Sequence, residues 1–176
     1  MTRLLALAAL AATFAVGLTP AAPALRAADK TRVGISVDDG KDFFFKPNDR
    51  IVFLGDSITA QYQYSSDIEL YLTTRFPRWN LAFLNAGIGG DTANGGAGRF
   101  QTQVLDEKPT AVTINFGMND AGYGAFDANR NKVYVEKTTA MLAAAKAAGV
   151  RVALVSPNAV DRRGRPNFKR YVETQK

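Results

Sequence analysis

Short runs of consecutive apolar residues recur along the chain, each followed by small or polar residues. A run of about four to eight apolar residues, bounded by turn-forming residues, is typical of a strand that is buried on both faces of a sheet. Such runs occupy four segments, at residues 50–54, 81–84, 111–116 and 150–155. We therefore predict four strands.

The segments between these runs favour helices. Residues 59–75 repeat aromatic and aliphatic side chains every three or four positions. Residues 91–105 begin with the capping types Asp91 and Thr92, and residues 132–148 are rich in alanine. Strands that alternate with helices predict a parallel sheet with right-handed crossovers and helices on both faces, which is a three-layer α/β/α sandwich.

The beginning of the chain has a different pattern. Arg3 precedes an apolar, alanine-rich stretch at residues 4–18, as in a secretory signal peptide. This stretch of about 15 residues is shorter than the roughly 20 apolar residues of a membrane-spanning helix, so we favour a signal over an anchor. We predict a signal peptide at residues 1–28, a secreted or periplasmic protein, and no stable membrane insertion after the signal is removed.

Two further segments follow the signal. Residues 29–49 form an N-terminal edge segment whose aromatic run, residues 43–45, we expect to pack against the domain. Residues 50–176 form one domain, because neither an internal repeat nor a linker interrupts their sequence.

Composition narrows the possible partners. The chain has no cysteine, which excludes disulfides, and 47% of its 176 residues are apolar, which suits an ordinary packed core. Its formal charge of +6 falls to +4 without Arg3 and Arg26, since 20 basic residues then face 16 acidic ones. We interpret the densest basic stretch, residues 162–170, as a solvent-exposed loop and helix face. We predict no nucleic-acid partner, no metal and no organic cofactor, and the oligomeric state stays open.

A polar or glycine-rich segment follows each of the first three predicted strands, at residues 56–57, 87–92 and 117–120. The carboxyl ends of parallel strands meet at one edge of a sheet, where ligands of such folds bind. We therefore expect these three loops to converge on one site.

Three residues in these loops have both a structural and a chemical explanation. Ser57 is a favoured helix cap, and Gly90 and Asn119 are favoured turn residues. Chemically, the Ser57 hydroxyl is a potential nucleophile, while the Gly90 N–H and the Asn119 amide can stabilise an oxyanion. Each residue alone favours the structural explanation.

The glycines of the second loop also raise the question of nucleotide binding. A dinucleotide fingerprint would need a third glycine at the position that Thr92 occupies after Gly87 and Gly89. The sequence also lacks the phosphate-binding pattern Gly-x-x-x-x-Gly-Lys-Ser/Thr. Nucleotide binding is therefore disfavoured.

Taken together and in this order, the loops resemble the signatures of the SGNH (GDSL) hydrolase superfamily. Gly-Asp-Ser at residues 55–57 matches the first signature. An asparagine followed by glycine before Asp-Thr, within residues 85–92, matches the second, and Gly-x-Asn-Asp at residues 117–120 matches the third. The similarity extends from residue 50 to about residue 155, with a predicted strand ahead of each signature.

The resemblance implies a flavodoxin-like sheet and an esterase, acetylesterase or lipase-like activity through an acyl-enzyme on Ser57. The oxyanion hole would consist of the backbone N–H groups of Ser57 and Gly90 and the side chain of Asn119, with Asp56 and Asp120 in supporting positions. The substrate would be a small-molecule or carbohydrate ester.

The base that such a serine needs is not in the sequence. A serine hydroxyl is a weak nucleophile unless a base takes its proton, and the chain has no histidine. The superfamily supplies it from a late Asp-x-x-His signature. We therefore expect a chain truncated at its C-terminus, with the last strand and helix missing and little turnover alone; the alternative is a natural variant without the base.

Three carboxylates in the converging loops are candidates to replace the missing base. The loop carboxylates Asp56, Asp91 and Asp120 would be weak bases with ordinary pKa values near 4, and the sequence gives no reason for an upward shift. A second candidate function is a catalytically inactive module of the same fold that binds acylated carbohydrate through the same loops.

Aromatic residues offer either a binding cleft or core packing. These are Tyr62, Tyr64, Phe116, Tyr123 and Phe126. Residues 121–131, which contain Gly122 and Gly124, are interpreted as the rim of the site or as a surface connection.

Overall fold

The computed structural model of the chain describes residues 43–123 and 125–157. The predicted signal peptide, most of the edge segment and the basic stretch at 162–170 lie outside the described residues. The elements in chain order are β1 (Arg50–Gly55), α1 (Ser57–Ala60), α2 (Gln63–Arg75), β2 (Ala82–Gly87), α3 (Ala93–Gln103), a 3-10 turn (Leu105–Glu107), β3 (Ala111–Asn115), α4 (Ala128–Ala147) and β4 (Arg151–Val155).

The four strands form one parallel sheet in the order β2-β1-β3-β4. This is the order of the first four strands in a flavodoxin-like sheet, so the predicted sheet type is confirmed. Strand β1 lies inside the sheet, with Gly55 next to Gly87 on one side and next to Asn115 on the other. Its apolar run is therefore explained by burial on both faces.

Helices cover both faces of the sheet, which confirms the three layers. One face packs Val52, Leu54 and Ile114 against α3 and α4, with Phe100 and Met141 in the same cluster. The other face packs alternate sheet residues against Leu72 of α2 and against the aromatic run at residues 43–45. The prediction that this run packs on the domain is confirmed for these three residues.

Three predicted elements differ from the structure by more than two residues. Helix α4 begins at Ala128, four residues before the predicted start at residue 132, because the Asp127 side chain caps it there. The predicted helix at residues 59–75 is two helices, because Tyr62 adopts a left-handed backbone conformation (φ 64°) between α1 and α2. Strand β2 continues to Gly87, three residues beyond the predicted end, because Asn85, Ala86 and Gly87 pair with the last residues of β1. None of the described helices is long and apolar enough to cross a membrane.

The amino edge of the sheet is closed by a polar cluster around Asp49, a carboxylate that is only 3% exposed. Asp49 Oδ2 accepts from the Lys46 N–H at 2.6 Å, and Oδ1 accepts from the Thr110 hydroxyl at 2.7 Å. The Arg151 guanidinium forms an ion pair with Asp49 and donates to the Phe44 carbonyl. This cluster, which we call the amino-edge cluster, joins the N-terminal segment to β4.

Candidate active site

The first loop places Ser57 at the start of α1. Gly55 ends β1, and the Asp56 side chain caps the helix by accepting the Ile58 N–H at 2.9 Å. The alternative that Ser57 is the helix cap is therefore wrong, because Asp56 occupies that position. Within the described part of the chain, the half-buried Ser57 hydroxyl has no hydrogen-bond partner.

Backbone contacts hold β1, β2 and α1 tightly together beneath Ser57. A Cβ atom on Gly87 would lie 2.2 Å from the Ala60 nitrogen, and one on Gly55 would lie 2.6 Å from the Asn115 oxygen. Asn85 Nδ2 donates to the Thr59 carbonyl at 2.7 Å, next to these glycines. Side chains at the two glycine positions would push the loop that carries Ser57 out of place.

The second loop lies beside the first. The Ile88 N–H donates to the Gly55 carbonyl at 3.1 Å, and the Asp91 N–H turns back to the Ile88 carbonyl at 3.2 Å. Gly90 has a φ of 76°, a conformation that L side chains rarely adopt, and its Cβ position faces open space. A glycine is needed at this position for its backbone conformation, not for close packing.

The third loop is bonded to the second by two side chains. Asn119 Nδ2 donates to the Asp91 carbonyl at 2.8 Å, and Asn119 Oδ1 accepts from the Tyr123 hydroxyl at 2.9 Å. The Asp120 carboxylate accepts the N–H groups of Ala93 and Gly117 at 2.9 and 3.0 Å. The predicted convergence of the three loops on one edge of the sheet is therefore confirmed.

Three hydrogen-bond donors with free capacity lie in the converging loops. Among the described residues, neither the Ser57 N–H nor the Gly90 N–H donates to an acceptor. The Asn119 amide nitrogen has a second hydrogen besides the one given to Asp91. These are the three groups that the family resemblance assigns to an oxyanion hole.

Two carboxylates at the site have perturbed acidity. Burial raises the pKa of Asp56, and the negative charge of Asp91 raises it further, against the lowering effect of the Ile58 N–H. Burial also raises the pKa of Asp120, with a smaller contribution from Asp56, while the N–H groups of Ala93 and Gly117 lower it. The expectation of no upward shift was therefore wrong for these two residues, because their burial cannot be read from loop sequence.

Sequence reasoning missed Arg99, a residue of α3 with a side chain only 11% exposed. Its guanidinium forms an ion pair with Asp91 and donates to the main-chain carbonyls of Gly55 and Ala86. The only sequence signal is the spacing from Asp91 to Arg99, which corresponds to about two helical turns.

The predicted aromatic set divides between core and surface. Phe116 is 2% exposed and belongs to the core, and Tyr64 donates to or accepts from the Thr59 hydroxyl at 2.8 Å. Tyr62, Tyr123 and Phe126 are exposed. An open cleft adjoins the site between the beginnings of α3 and α4, lined by Thr92, Asn94, Asn119, Asp120, Asn129, Arg130 and Val133.

No group of three or more potential metal-ligating side chains occurs among residues 43–123 and 125–157.

The sequence matches the family model described as GDSL-like lipase/acylhydrolase over residues 53–176. The chain belongs to this family. Its fold and its three converging loops are therefore those of a GDSL-like acylhydrolase.

Several solved structures share this fold. A gut microbial diltiazem-metabolizing enzyme, BT4096, is 33% identical with a TM-score of 0.66, over 74% of this chain and 33% of that protein. The acetylxylan esterase Axe2 from Geobacillus stearothermophilus is 19% identical with a TM-score of 0.64, over 74% of this chain and 69% of Axe2. A lipase/acylhydrolase from Enterococcus faecalis is 28% identical with a TM-score of 0.57, over 72% of this chain and 66% of that protein.

The GDSL-like chain spans only part of some relatives. It covers 33% of the length of BT4096. An uncharacterized lipoprotein of Bacillus subtilis (strain 168), YqeF, is 59% identical over 44 residues, which are 25% of this chain and 18% of YqeF.

Proposed function

We propose that this GDSL-like acylhydrolase cleaves carboxylic esters through an acyl-enzyme on Ser57. The observation that carries the proposal is the set of donors at the carboxyl edge of the sheet. The N–H groups of Ser57 and Gly90 are without acceptors among the described residues, beside the Asn119 amide. Donors fixed in place before the reaction stabilise the negative charge of a tetrahedral intermediate.

The proposed reaction has two half-reactions. A base takes the Ser57 hydroxyl proton while the oxygen attacks the ester carbonyl carbon, and the carbonyl oxygen gains its negative charge among the three donors. The intermediate collapses, the alcohol leaves with the proton, and the acyl group stays on Ser57. Water then attacks the acyl carbonyl by the same route and releases the carboxylic acid.

We propose that the complete protein supplies a histidine beyond Lys176. Structures of Axe2 variants named as catalytic mutants replace a serine, an aspartate and a histidine in that esterase. The carboxylates of Asp56 and Asp120 already accept backbone N–H groups, so they suit a supporting function better than proton abstraction.

Export is part of the same proposal. The apolar stretch after Arg3 supports a signal peptide at residues 1–28, and the lipoprotein name of the Bacillus subtilis relative supports an exported protein. Residues 50–176 would then form the hydrolase domain, preceded by the edge segment at 29–49. The substrate would be a small-molecule or carbohydrate ester.

The test begins with the coding sequence downstream of the Lys176 codon, read in frame for a further strand and Asp-x-x-His. The complete protein, its Ser57→Ala variant and the 176-residue chain are then assayed with p-nitrophenyl acetate. We expect turnover only from the complete protein, and a loss of at least about a thousand-fold in Ser57→Ala. An authentic stop after Lys176, with binding of acetylated sugars but no turnover, would support the inactive binding module instead.

A further inference from the structure

We propose that Arg99 is a positioning residue that fixes the nucleophile loop and the Gly90 loop relative to each other. The inference rests on the proposed ester hydrolysis and assigns a function in it to a side chain outside the three signatures. Arg99 lies in the last part of α3, seven residues beyond Thr92, the cap of that helix.

Every guanidinium nitrogen of Arg99 is engaged within the protein. Nε donates to Asp91 Oδ2 at 2.9 Å, and Nη2 forms an ion pair with the same oxygen at 2.8 Å. Nη1 donates to the Ala86 carbonyl at 2.7 Å and to Gln103 Oε1 at 2.8 Å. Nη2 also donates to the Gly55 carbonyl at 3.1 Å. The four hydrogen bonds and the ion pair commit this largely buried side chain to the protein itself.

The acceptors of Arg99 belong to the segments that carry the proposed catalytic groups. The Gly55 carbonyl is two residues before Ser57 and also accepts the Ile88 N–H of the second loop. Asp91 directly follows Gly90, and its own carbonyl accepts Asn119 Nδ2. One guanidinium therefore connects, directly or through Asp91, all three loops of the site.

The backbone next to the Arg99–Asp91 ion pair leaves room for the Asp91 carboxylate. A Cβ atom on Gly95 would lie 1.8 Å from Asp91 Oδ1, so a glycine is needed where α3 passes the Asp91 carboxylate. The Asp91 and Arg99 side chains are 12% and 11% exposed. A planar fork with five donors reaches two carbonyls and a carboxylate at once, which a lysine ammonium with three donors on a flexible stem cannot reproduce.

The expected consequence lies in the rate of the chemical step. Loss of the guanidinium fork would let the Ser57 and Gly90 loops move apart, and a misplacement of about 1 Å can cost a factor of roughly one hundred in rate. Ground-state binding of a small ester would be little affected, because the Arg99 side chain is only 11% exposed and bonds within the protein. A fall in kcat with an almost unchanged KM is therefore the expected result.

The experiment compares variants of the complete protein with p-nitrophenyl acetate. Arg99→Lys is expected to lower kcat about one hundred-fold with KM within about three-fold. The matched control is Arg151→Lys, which alters a second arginine–aspartate pair, at the amino edge, where the aspartate is buried and the arginine is 33% exposed; it should leave kcat within about two-fold. Gln103→Ala, which removes only the surface acceptor of Arg99, should leave kcat and KM unchanged.

A second variant keeps the test valid if Arg99→Lys does not fold. Asp91→Asn retains the two carbonyl acceptors of Arg99 and should lower kcat in the same way by a smaller factor. Wild-type kcat in either folded variant, or an equal kcat loss in Arg151→Lys, would overturn the inference while leaving the ester hydrolysis intact. Wild-type protein without Ser57-dependent turnover would instead refute the proposed function.

Discussion

Each of the two edges of the sheet has an arginine–aspartate ion pair, and the two pairs join different parts of the molecule. At the amino edge, Arg151 and Asp49 join the N-terminal segment to β4. At the carboxyl edge, Arg99 and Asp91 join the loops that follow β1 and β2. Both aspartates are shielded from solvent, at 3% and 12% side-chain exposure.

The edges differ in which groups remain unpaired. At the amino edge, both oxygens of Asp49 accept donors, from Lys46, Thr110 and Arg151. At the carboxyl edge, the N–H groups of Ser57 and Gly90 have no acceptor among the described residues. Ser57 is half-buried and Gly90 is exposed, so these donors fit the binding function proposed for the carboxyl edge. The bonded donors around the buried Asp49 fit a stabilising function at the amino edge.

The largest effect is expected from breaking the amino-edge cluster. Asp49→Ala leaves three donors without their carboxylate. Because the Arg151 side chain is 33% exposed and its charge can be hydrated, we expect the loss of unfolding free energy at the lower end of the range for buried ion pairs, about 3 kcal/mol. Urea unfolding of the complete protein measures this loss, and kcat of the folded fraction should stay within about two-fold. Glu107→Ala, which breaks the exposed pair with Arg50, should cost less than about 1 kcal/mol. A kcat loss in Asp49→Ala as large as in Arg99→Lys would remove the contrast between the edges.

An intermediate effect is expected at Asp120 on the carboxyl edge. Asp120→Asn keeps one acceptor, so either the Ala93 or the Gly117 N–H loses its partner, at a cost of about 1–3 kcal/mol. Because the neighbouring Asn119 would shift, we also expect kcat to fall at least about ten-fold. The control is Asp127→Asn, since Asp127 accepts two N–H groups at the exposed start of α4 and asparagine caps a helix equally well. Equal effects in both variants would argue against a special function of Asp120.

The smallest effect is expected from Asp56→Asn and appears in its pH dependence. Asparagine can keep the cap on Ile58, and the raised pKa of Asp56 means that the folded wild-type holds this proton more tightly than the unfolded chain. The charged form therefore destabilises the fold above the raised pKa, and the penalty disappears as the pH falls toward the ordinary value of 3.8. The stability of Asp56→Asn relative to wild-type should be highest at neutral pH and decline with acidification. A difference that is constant with pH would contradict the assigned shift.

The sheet could be predicted because its strands are buried. Residues 51–54 are a continuous apolar run, residues 111–116 are mostly apolar, and both strands lie inside the sheet with both faces covered. The break at Tyr62 could not be predicted, because a tyrosine with positive φ has no sequence signature of the kind that glycine or asparagine provides.

The site was predicted as three loops but without the contacts between them. Asp56 and Ser57 are both favoured helix caps, so only the Ile58 hydrogen bond decides that Asp56 has this position and leaves the Ser57 hydroxyl available. Arg99 is a charged residue between the exposed Gly98 and the buried Phe100, and in sequence it resembles a residue of the solvent-facing side of an amphipathic helix. Its burial depends on the approach of Gly55 and Ala86, which belong to two different strands.

The most direct test of the account is to identify the nucleophile by covalent labelling with a reagent that phosphonylates reactive serines. The complete protein is treated with a fluorophosphonate, digested and analysed by mass spectrometry, with Ser57→Ala in parallel. The account predicts one adduct per chain, located on the peptide that contains Ser57, with parallel loss of ester hydrolysis and no adduct in Ser57→Ala. Ester hydrolysis that continues after Ser57 has been modified, or that survives in Ser57→Ala, would contradict it.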